Sequence, residues 1–219
     1  MNVLLFGATG MIGQGVLREC LLDDRVTRVL TVGRSSSGQR HAKLKEIVQA
    51  DLHELSPIES EFTGFDACFY CLGVSAAGMS ERDYVRITYD LTLSVANALV
   101  HRNPQMTFIY VSGAGADSTE RGGTMWARVK GRTENALLCL QFKGIYIFRP
   151  ALVIPMHGIK SRTAWYRVLY ALLRPVYPLL EALSPRFVTT TVQIGRAMLI
   201  VAASGFPKNI LESRDIAGL

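Results

Sequence analysis

Three glycines near the N-terminus have a spacing that could bind a dinucleotide. Gly7, Gly10 and Gly13 follow the apolar run 3–6 and open a helix-like stretch over 11–22. A glycine turn between a buried strand and a helix lets the backbone approach a pyrophosphate and directs free N–H groups and the positive helix end at it. A plain structural turn is the alternative, although three glycines exceed what such a turn requires. The residues expected to contact the cofactor here are Gly7, Thr9, Gly10, Met11, Ile12 and Gly13.

The end of the second predicted strand carries a basic residue where NAD enzymes usually place an acidic one. Arg34 and Ser35 follow Gly33, and Arg40 lies nearby. Because a guanidinium can form paired hydrogen bonds with a phosphate, this loop favours NADP(H), with its 2′-phosphate, over NAD(H). A solvated loop arginine is the alternative. Asp51, just past the third predicted strand, is a candidate for the adenine edge, and an ordinary loop carboxylate is the competing interpretation.

Strands alternate with helices along the first 150 residues, and the strands are continuously apolar. This pattern is typical of a parallel sheet covered by helices on both faces. The predicted strands are 2–6, 26–33, 46–50, 66–71, 106–112 and 144–148, and the predicted helices are 11–22, 80–102 and 124–141. We therefore expect an α/β protein with a Rossmann-like doubly wound parallel sheet, residues 1–219 forming a single domain, and ligands bound at the carboxyl ends of the strands.

The chain after Pro150 has a different character. An apolar stripe at helical spacing over 163–183 is broken by Pro175 and Pro178. We expect a small helical C-terminal cap over the substrate cleft. Three arginines and a tryptophan in this stretch leave peripheral contact with a membrane surface as the weaker alternative. The uncharged run 197–207 is well short of the roughly 20 apolar residues that span a bilayer.

Composition narrows the classes of function and partner. The formal net charge is +6, but the basic residues are scattered and the aromatic motifs of RNA-binding domains are absent, so no nucleic-acid partner is expected. The four histidines lie apart without companion ligands, which argues against a metal site. The four cysteines fall inside apolar runs with no secretory preface, so we expect reduced thiols and a cytoplasmic setting.

Several further motifs carry a family resemblance along essentially the whole chain. They are Val32-Gly33-Arg34, Ala50-Asp51-Leu52, Cys71-Leu72-Gly73, Tyr110-Val111-Ser112, Val129-Lys130-Gly131 and Phe148-Arg149-Pro150. Together with the glycine turn, they resemble the atypical short-chain dehydrogenase/reductase superfamily, and within it the HIV Tat-interacting protein branch. The resemblance implies a Rossmann fold with NADP(H) along the strand ends and, by analogy, a homodimer formed through helices like 80–102 and 124–141. It places Leu72 and Gly73 against the cofactor ribose, Lys130 on the nicotinamide ribose hydroxyls, and the backbone after Pro150, including Val153, near the carboxamide.

The same resemblance identifies the candidate catalytic residues. The family's reductase core is a serine followed by Tyr-x-x-x-Lys, in which the lysine lowers the tyrosine pKa so that the phenol can exchange a proton with the substrate oxygen. Ser112 and Lys130 match, but Trp126 stands at the tyrosine position. An indole N–H can donate a hydrogen bond, yet it is no Brønsted acid near neutral pH. The departure puts enzymatic activity in question rather than cofactor binding.

Two functions are compatible with Ser112, Trp126 and Lys130 at these positions. The first is an NADP(H)-dependent reductase acting on a small carbonyl substrate, in which Ser112 polarises the substrate and another group supplies the proton. Tyr84, Tyr89, Tyr110, His157 and a water held by Ser112 are the candidate proton sources. The second is a catalytically silent NADP(H)-binding sensor or interaction scaffold, with Trp126 stacked in the vacated position.

Overall fold

A parallel sheet forms the centre of the protein. The computed structural model describes residues 1–159 and 187–219. Its strands are β1 (Asn2–Phe6), β2 (Arg28–Gly33), β3 (Leu44–Val48), β4 (Ala67–Tyr70), β5 (Thr107–Val111), β6 (Gly144–Arg149), β7 (Leu152–Ile154), β8 (Val188–Thr190) and β9 (Ile210–Glu212). Its α-helices are α1 (Met11–Leu22), α2 (Glu81–Val85), α3 (Leu91–Val100), α4 (Met125–Leu138), α5 (Thr191–Ser204) and α6 (Ser213–Ala217).

The strand order places the ends of the central strands side by side. Seven strands pair in the order β3-β2-β1-β4-β5-β6-β9, every pair parallel, and β7 pairs with β8 in a separate two-stranded sheet. The order reverses between β1 and β4, which is the switch point where open α/β sheets bind ligands. The predicted Rossmann-like doubly wound sheet is therefore confirmed.

Both faces of the sheet are buried, as the continuously apolar strands predicted. Val3 and Leu5 of β1 pack into one apolar cluster, whereas Leu4 and Phe6 pack into the cluster on the opposite face. Successive side chains of a strand point to opposite faces, so a strand covered on both sides must be apolar at every position. This core fixes the strand ends from which the candidate site is built.

The C-terminal part of the chain joins the body of the fold. Helix α5 crosses α1 so closely that a Cβ on Gly15 would lie 2.6 Å from the Thr191 Cβ, and one on Gly195 would lie 2.8 Å from the Glu19 Cγ. Strand β9 extends the main sheet beside β6. Residues 187–219 thus contribute a layer and an edge strand to the Rossmann body. The helix predicted over 163–183 as a cap lies outside the described residues.

Other boundaries differ modestly from the sequence-based expectation. The third strand occupies Leu44–Val48, two residues earlier than predicted. The single helix predicted over 80–102 consists of α2 and α3 joined by a π turn, Arg86–Asp90. Among the described helices, none combines the length and apolarity needed to cross a membrane.

Candidate cofactor and active site

The glycine turn joins β1 to α1 through backbone contacts that exclude side chains. Gly7 has φ +84°, and a Cβ on it would lie 2.7 Å from the carbonyl carbon of Cys71. A Cβ on Gly13 would lie 2.0 Å from the Gly7 oxygen. These two glycines are required by the fold itself, because they bring β1, β4 and α1 into contact.

Gly10 is different because the protein alone does not require a glycine there. The nearest atom to a Cβ on Gly10 would be the Gly7 oxygen at 3.4 Å, an ordinary contact, and its φ of −76° suits any residue. Gly10 is the N-cap of α1, no side chain caps this helix end, and its first turn contains no acidic residue. Thr9, Gly10, Met11 and Ile12 are partly exposed. The arrangement is an accessible helix N-terminus suited to an anion.

The loop after β2 is organised by a carboxylate from the neighbouring strand. Glu46 of β3 accepts hydrogen bonds from the Ser36 hydroxyl (2.6 Å), the Ser37 backbone N–H (2.9 Å) and the Thr31 hydroxyl (3.3 Å). Burial raises the pKa of Glu46, but these hydrogen bonds outweigh it and the net pKa is lowered. Arg34 is exposed, and no other described residue pairs with its guanidinium. The adjacent Ser35 is exposed as well.

Four more of the predicted cofactor residues follow the carboxyl ends of strands, at the same edge of the sheet. Leu72 and Gly73 follow β4, directly beside the glycine turn, since a Cβ on Gly7 would lie 2.8 Å from the Leu72 nitrogen. Asp51 is exposed, and its carboxylate accepts the His53 N–H at 2.9 Å. Pro150 follows β6, where its carbonyl accepts the Ala114 N–H at 3.1 Å.

Val153 lies in a different environment from the other predicted cofactor residues. It is in β7, opposite Thr189 of β8, and its side chain is buried in an apolar cluster. A cofactor contact from this position would have to come from the backbone.

Ser112 lies one residue past β5 and is part of a buried polar network. Its hydroxyl donates a short hydrogen bond to the Glu134 carboxylate of α4. Arg149 of β6 donates from Nε to both oxygens of Glu134 at 3.1 Å, forms a further short contact with it, and also reaches the Ser118 hydroxyl at 2.7 Å. Glu134 is 0% exposed. The single hydroxyl proton of Ser112 is therefore committed to Glu134, and only its lone pairs remain for another partner.

Lys130 lies one helical turn before Glu134 on the same side of α4. Its Nζ is 3.5 Å from the Tyr110 hydroxyl oxygen and 5.3 Å from the centroid of that ring. Burial lowers the pKa of Lys130 to about 8, against an opposing effect from Glu134. Lys130 contacts Tyr110 of β5, and Ser112 after β5 contacts Glu134 of α4, so both contacts lie between the end of β5 and α4.

Trp126 lies one turn before Lys130, at the start of α4. Its indole packs against the loop after β5, where a Cβ on Gly115 would lie 3.4 Å from the ring atom Cη2. Gly115 has φ +87°, which favours glycine and lets the loop follow the indole closely. Trp126 is partly buried.

The alternative proton sources have distinct surroundings. Tyr84 and Tyr110 are both almost fully buried, and burial raises the pKa of each phenol. The ring of Tyr89 is covered by the Arg132 guanidinium at 4.2 Å. His157 is exposed in the loop after β7, with φ 54°.

Two residues of the network, Glu134 and Arg149, were missed as site residues from the sequence. Glu134 follows Lys130 by four positions, a spacing that places both side chains on one face of a helix. That spacing is a signal that could have identified Glu134. The pairing with Arg149, by contrast, depends on how α4 packs on β6, which no local pattern shows.

Comparisons with known proteins identify relatives that cover most of the chain. The mitochondrial protein fmp52 of Emericella nidulans is 31% identical over 69% of this chain and 66% of its own length. The mitochondrial protein FMP52 of Saccharomyces cerevisiae is 32% identical over 74% of this chain and 69% of its own length. Protein HTATIP2 of Rattus norvegicus is 26% identical over 70% of this chain and 63% of its own length. The matched part of this chain thus spans about two thirds of these relatives.

The names of the fungal relatives disagree with the cytoplasmic localisation expected from the sequence. The fungal relatives are named as mitochondrial proteins, which contradicts the cytoplasmic setting inferred from the cysteines. The physical reason is that Cys20 and Cys68 are buried free thiols. Thiols shielded from solvent remain reduced in more than one compartment, so they do not identify one.

Solved structures share the fold over nearly the whole chain. The Bordetella bronchiseptica enzyme WbmF, in complex with NAD+, matches with TM-score 0.68 at 13% identity, over 99% of this chain and 76% of its own. MoeE5, in complex with UDP-glucose and NAD, matches with TM-score 0.67 at 16% identity, over 99% of this chain and 79% of its own. At sequence identities this low, the structural similarity shows a common fold and nothing more.

The family assignment comes from the part of the chain that contains the glycine turn and the first five strands. Residues 3–121, more than half of the chain, match the NAD dependent epimerase/dehydratase family. The relative HTATIP2 confirms the resemblance to the HIV Tat-interacting protein branch. The chain therefore belongs to the NAD dependent epimerase/dehydratase family, in the atypical short-chain dehydrogenase/reductase branch that its motifs indicated.

Proposed function

We propose that this protein binds NADP(H) and reduces a small carbonyl substrate. The observation that carries the proposal is the glycine cradle at the N-terminus of α1, where an uncapped and accessible helix end meets the switch point of the sheet. The cofactor, when bound, supplies the hydride. WbmF and MoeE5, which share the fold, are described in complex with NAD.

The cradle fits a diphosphate by its shape as well as its charge. Gly7 and Gly13 are explained by contacts within the protein, but Gly10 is not. Gly10 is the N-cap of α1, so a side chain there would be added at the helix end that carries the free N–H groups. The absence of a side chain at this position is accounted for by a ligand that must approach the backbone closely.

Specificity for NADP(H) over NAD(H) is supported by the loop after β2. Glu46 accepts one hydrogen bond from Ser36 and one from Ser37, so the loop that carries Arg34 is anchored to the sheet. The exposed Arg34 guanidinium then has no competing partner among the described residues. A cation held on an ordered loop at the end of β2 is suited to the 2′-phosphate of NADP(H).

A thermal-shift titration with NADPH and NADH tests this preference. Ligand binding to the folded state raises the unfolding temperature by mass action, so the wild type is expected to respond at lower NADPH than NADH. Arg34→Ala should weaken NADPH binding by about tenfold or more, the effect of about 1.4 kcal/mol, and leave NADH binding within twofold. Arg28→Ala is the matched control, because it removes an arginine from the opposite end of β2. Equal responses to both cofactors in the wild type would contradict the preference.

A catalytically silent NADP(H)-binding protein is the second candidate function. It is favoured by two observations, the indole of Trp126 at the tyrosine position and the commitment of the Ser112 proton to Glu134. Trp126→Tyr separates the candidates. Carbonyl reduction gained in Trp126→Tyr and absent from the wild type would support the silent protein. NADPH oxidation by the wild type that depends on an added carbonyl compound would support the reductase.

A further inference from the structure

Lys130 is a partly buried cation without a carboxylate partner. Its Nζ contacts the hydroxyl and the ring face of Tyr110, and no carboxylate among residues 1–159 and 187–219 forms an ion pair with it. Partial burial of an ammonium group without a counter-ion is unfavourable, and losing the proton relieves the cost. The environment of Lys130 therefore favours loss of its proton more than the environment of a solvent-exposed lysine does.

The groups around Lys130 restore the missing counter-charge only in part. On its own helix, Glu134 raises the pKa of Lys130, but burial outweighs this effect, and the Glu134 carboxylate is itself bonded to Ser112 and to Arg149 of β6. From β5, the facing group is Tyr110, which also interacts electrostatically with Tyr84 of α2 and Tyr70 of β4.

The acidic residues of the neighbouring α2 and π turn, Glu81, Asp83 and Asp90, are exposed, and none of them forms an ion pair with Lys130. Glu81 of α2 forms an ion pair with Arg128 at 2.9 Å. Arg132 of α4 lies over the ring of Tyr89 in the π turn. Neither pair places a carboxylate on Lys130.

We propose that Lys130 is the proton donor of this site and replaces the tyrosine whose position Trp126 occupies. The inference rests on the proposed carbonyl reduction. In the step, the hydride from NADPH adds to the carbonyl carbon, the C=O π bond breaks, and an N–H bond of the Lys130 ammonium breaks as its proton moves to the carbonyl oxygen. The products are an alcohol, NADP+ and a neutral Lys130 amine, which takes a proton back from water.

The acidity of the groups at the site agrees with this assignment. A general acid works best when its pKa lies near the operating pH, and burial lowers the pKa of Lys130 to about 8. The phenols of Tyr84 and Tyr110 change in the opposite direction, because burial raises their pKa values. Lys130 also lies one helical turn from Trp126, which keeps the donor in the same part of the site as the missing tyrosine.

A direct titration of the lysine side chains by NMR tests the inference without any turnover. In protein labelled with 13C at the lysine ε carbon, the signal lost in Lys130→Arg identifies Lys130, and Lys143→Arg identifies an exposed lysine as the reference. We expect Lys130 to titrate at about 8, well below the ordinary lysine value of about 10.4. Titration of Lys130 at that ordinary lysine value would overturn the inference.

Kinetics with defined carbonyl probes provide the second test. NADPH oxidation is measured with 9,10-phenanthrenequinone and 4-nitrobenzaldehyde, and the wild-type rate should fall as the pH rises above about 8, because the acid form of Lys130 is lost. Arg keeps the positive charge but cannot release its proton, so Lys130→Arg should lower kcat by about 100-fold or more. Lys143→Arg should match the wild type. NADPH binding by Lys130→Arg, followed by fluorescence, confirms that the site is intact.

The outcomes separate this inference from the proposed function. If the wild type binds NADPH but reduces neither probe, the carbonyl reductase proposal fails. If the wild type reduces a probe and Lys130→Arg does so equally well, only the assignment of Lys130 fails. The assignment would also be overturned if the pH at which the rate falls changed in His157→Gln but not in Lys130→Arg. That result would favour His157 as the proton donor.

Discussion

At the scale of single residues, a residue type defines chemistry only together with its partners. Ser112 has the position expected of a substrate-polarising serine, but its proton is donated to Glu134. Lys130 has the position expected of a ribose-binding lysine, and its burial beside Tyr110 makes it more acidic than a surface lysine. The sequence predicted both positions. It could not show either environment, because the contacts come from α4, β5 and β6 together.

The first prediction concerns the pairing of Glu134 with Arg149. Glu134 is 0% exposed and the Arg149 side chain is 12% exposed. Arg149→Leu should lower the free energy of unfolding by about 3–5 kcal/mol, because it leaves a buried carboxylate without its cation. Urea unfolding measures the change.

The double variant Glu134→Leu/Arg149→Leu is the matched control for that prediction. It removes both charges, so it should cost less than Arg149→Leu alone. A loss of stability in the double variant, relative to the wild type, that equals the sum of the losses in Glu134→Leu and Arg149→Leu would contradict a coupled buried pair.

At the scale of elements, glycines decide how closely the layers approach. Strand β1 and the glycine turn were predictable with their bounds, since a buried strand, a glycine spacing and an amphipathic helix are all local signals. The close crossing of α1 and α5 was not predictable, because Gly15 and Thr191 are 176 positions apart in the chain. Short strands such as β7 and β9 have three residues each, too few to show a periodicity.

The second prediction concerns this crossing. Gly15→Ala would gain about 1 kcal/mol of helix propensity, but its Cβ would lie 2.6 Å from the Thr191 Cβ and 2.9 Å from the Thr191 oxygen. We expect overpacking to dominate and the free energy of unfolding to fall by about 1–3 kcal/mol. Leu22→Ala, which truncates an exposed side chain of the same helix, is the control and should change stability little. Stabilisation by Gly15→Ala would show that the two helices can separate without cost.

At the scale of the whole molecule, the two ends of the chain share one core. Val3 and Leu5 of β1 belong to the same apolar cluster as Met198 of α5 and Leu211 of β9. The single domain expected from the sequence over 1–219 stays a prediction. The homodimer expected by analogy also stays a prediction.

The third prediction is that the described parts of the chain unfold together. In hydrogen exchange measured by mass spectrometry at increasing urea, peptides covering β1 and α5 should lose protection at the same urea concentration, because neither can lose the shared core without exposing the other. Loss of protection in α5 at clearly lower urea than in β1 would show two separate folding units.

Binding of the NADP(H) diphosphate to the glycine turn is tested by calorimetric titration of NADPH into the wild type and Gly10→Ala. The added Cβ would meet only the Gly7 oxygen at 3.4 Å, so the variant should keep its unfolding temperature in the absence of ligand. It should bind NADPH at least about tenfold more weakly than the wild type, a loss of about 1.4 kcal/mol, since the methyl group would lie where the diphosphate approaches the backbone. Gly123→Ala is the control, because a Cβ there meets nothing within 4 Å. Equal NADPH affinity in wild type and Gly10→Ala, or no binding by the wild type, would contradict the account.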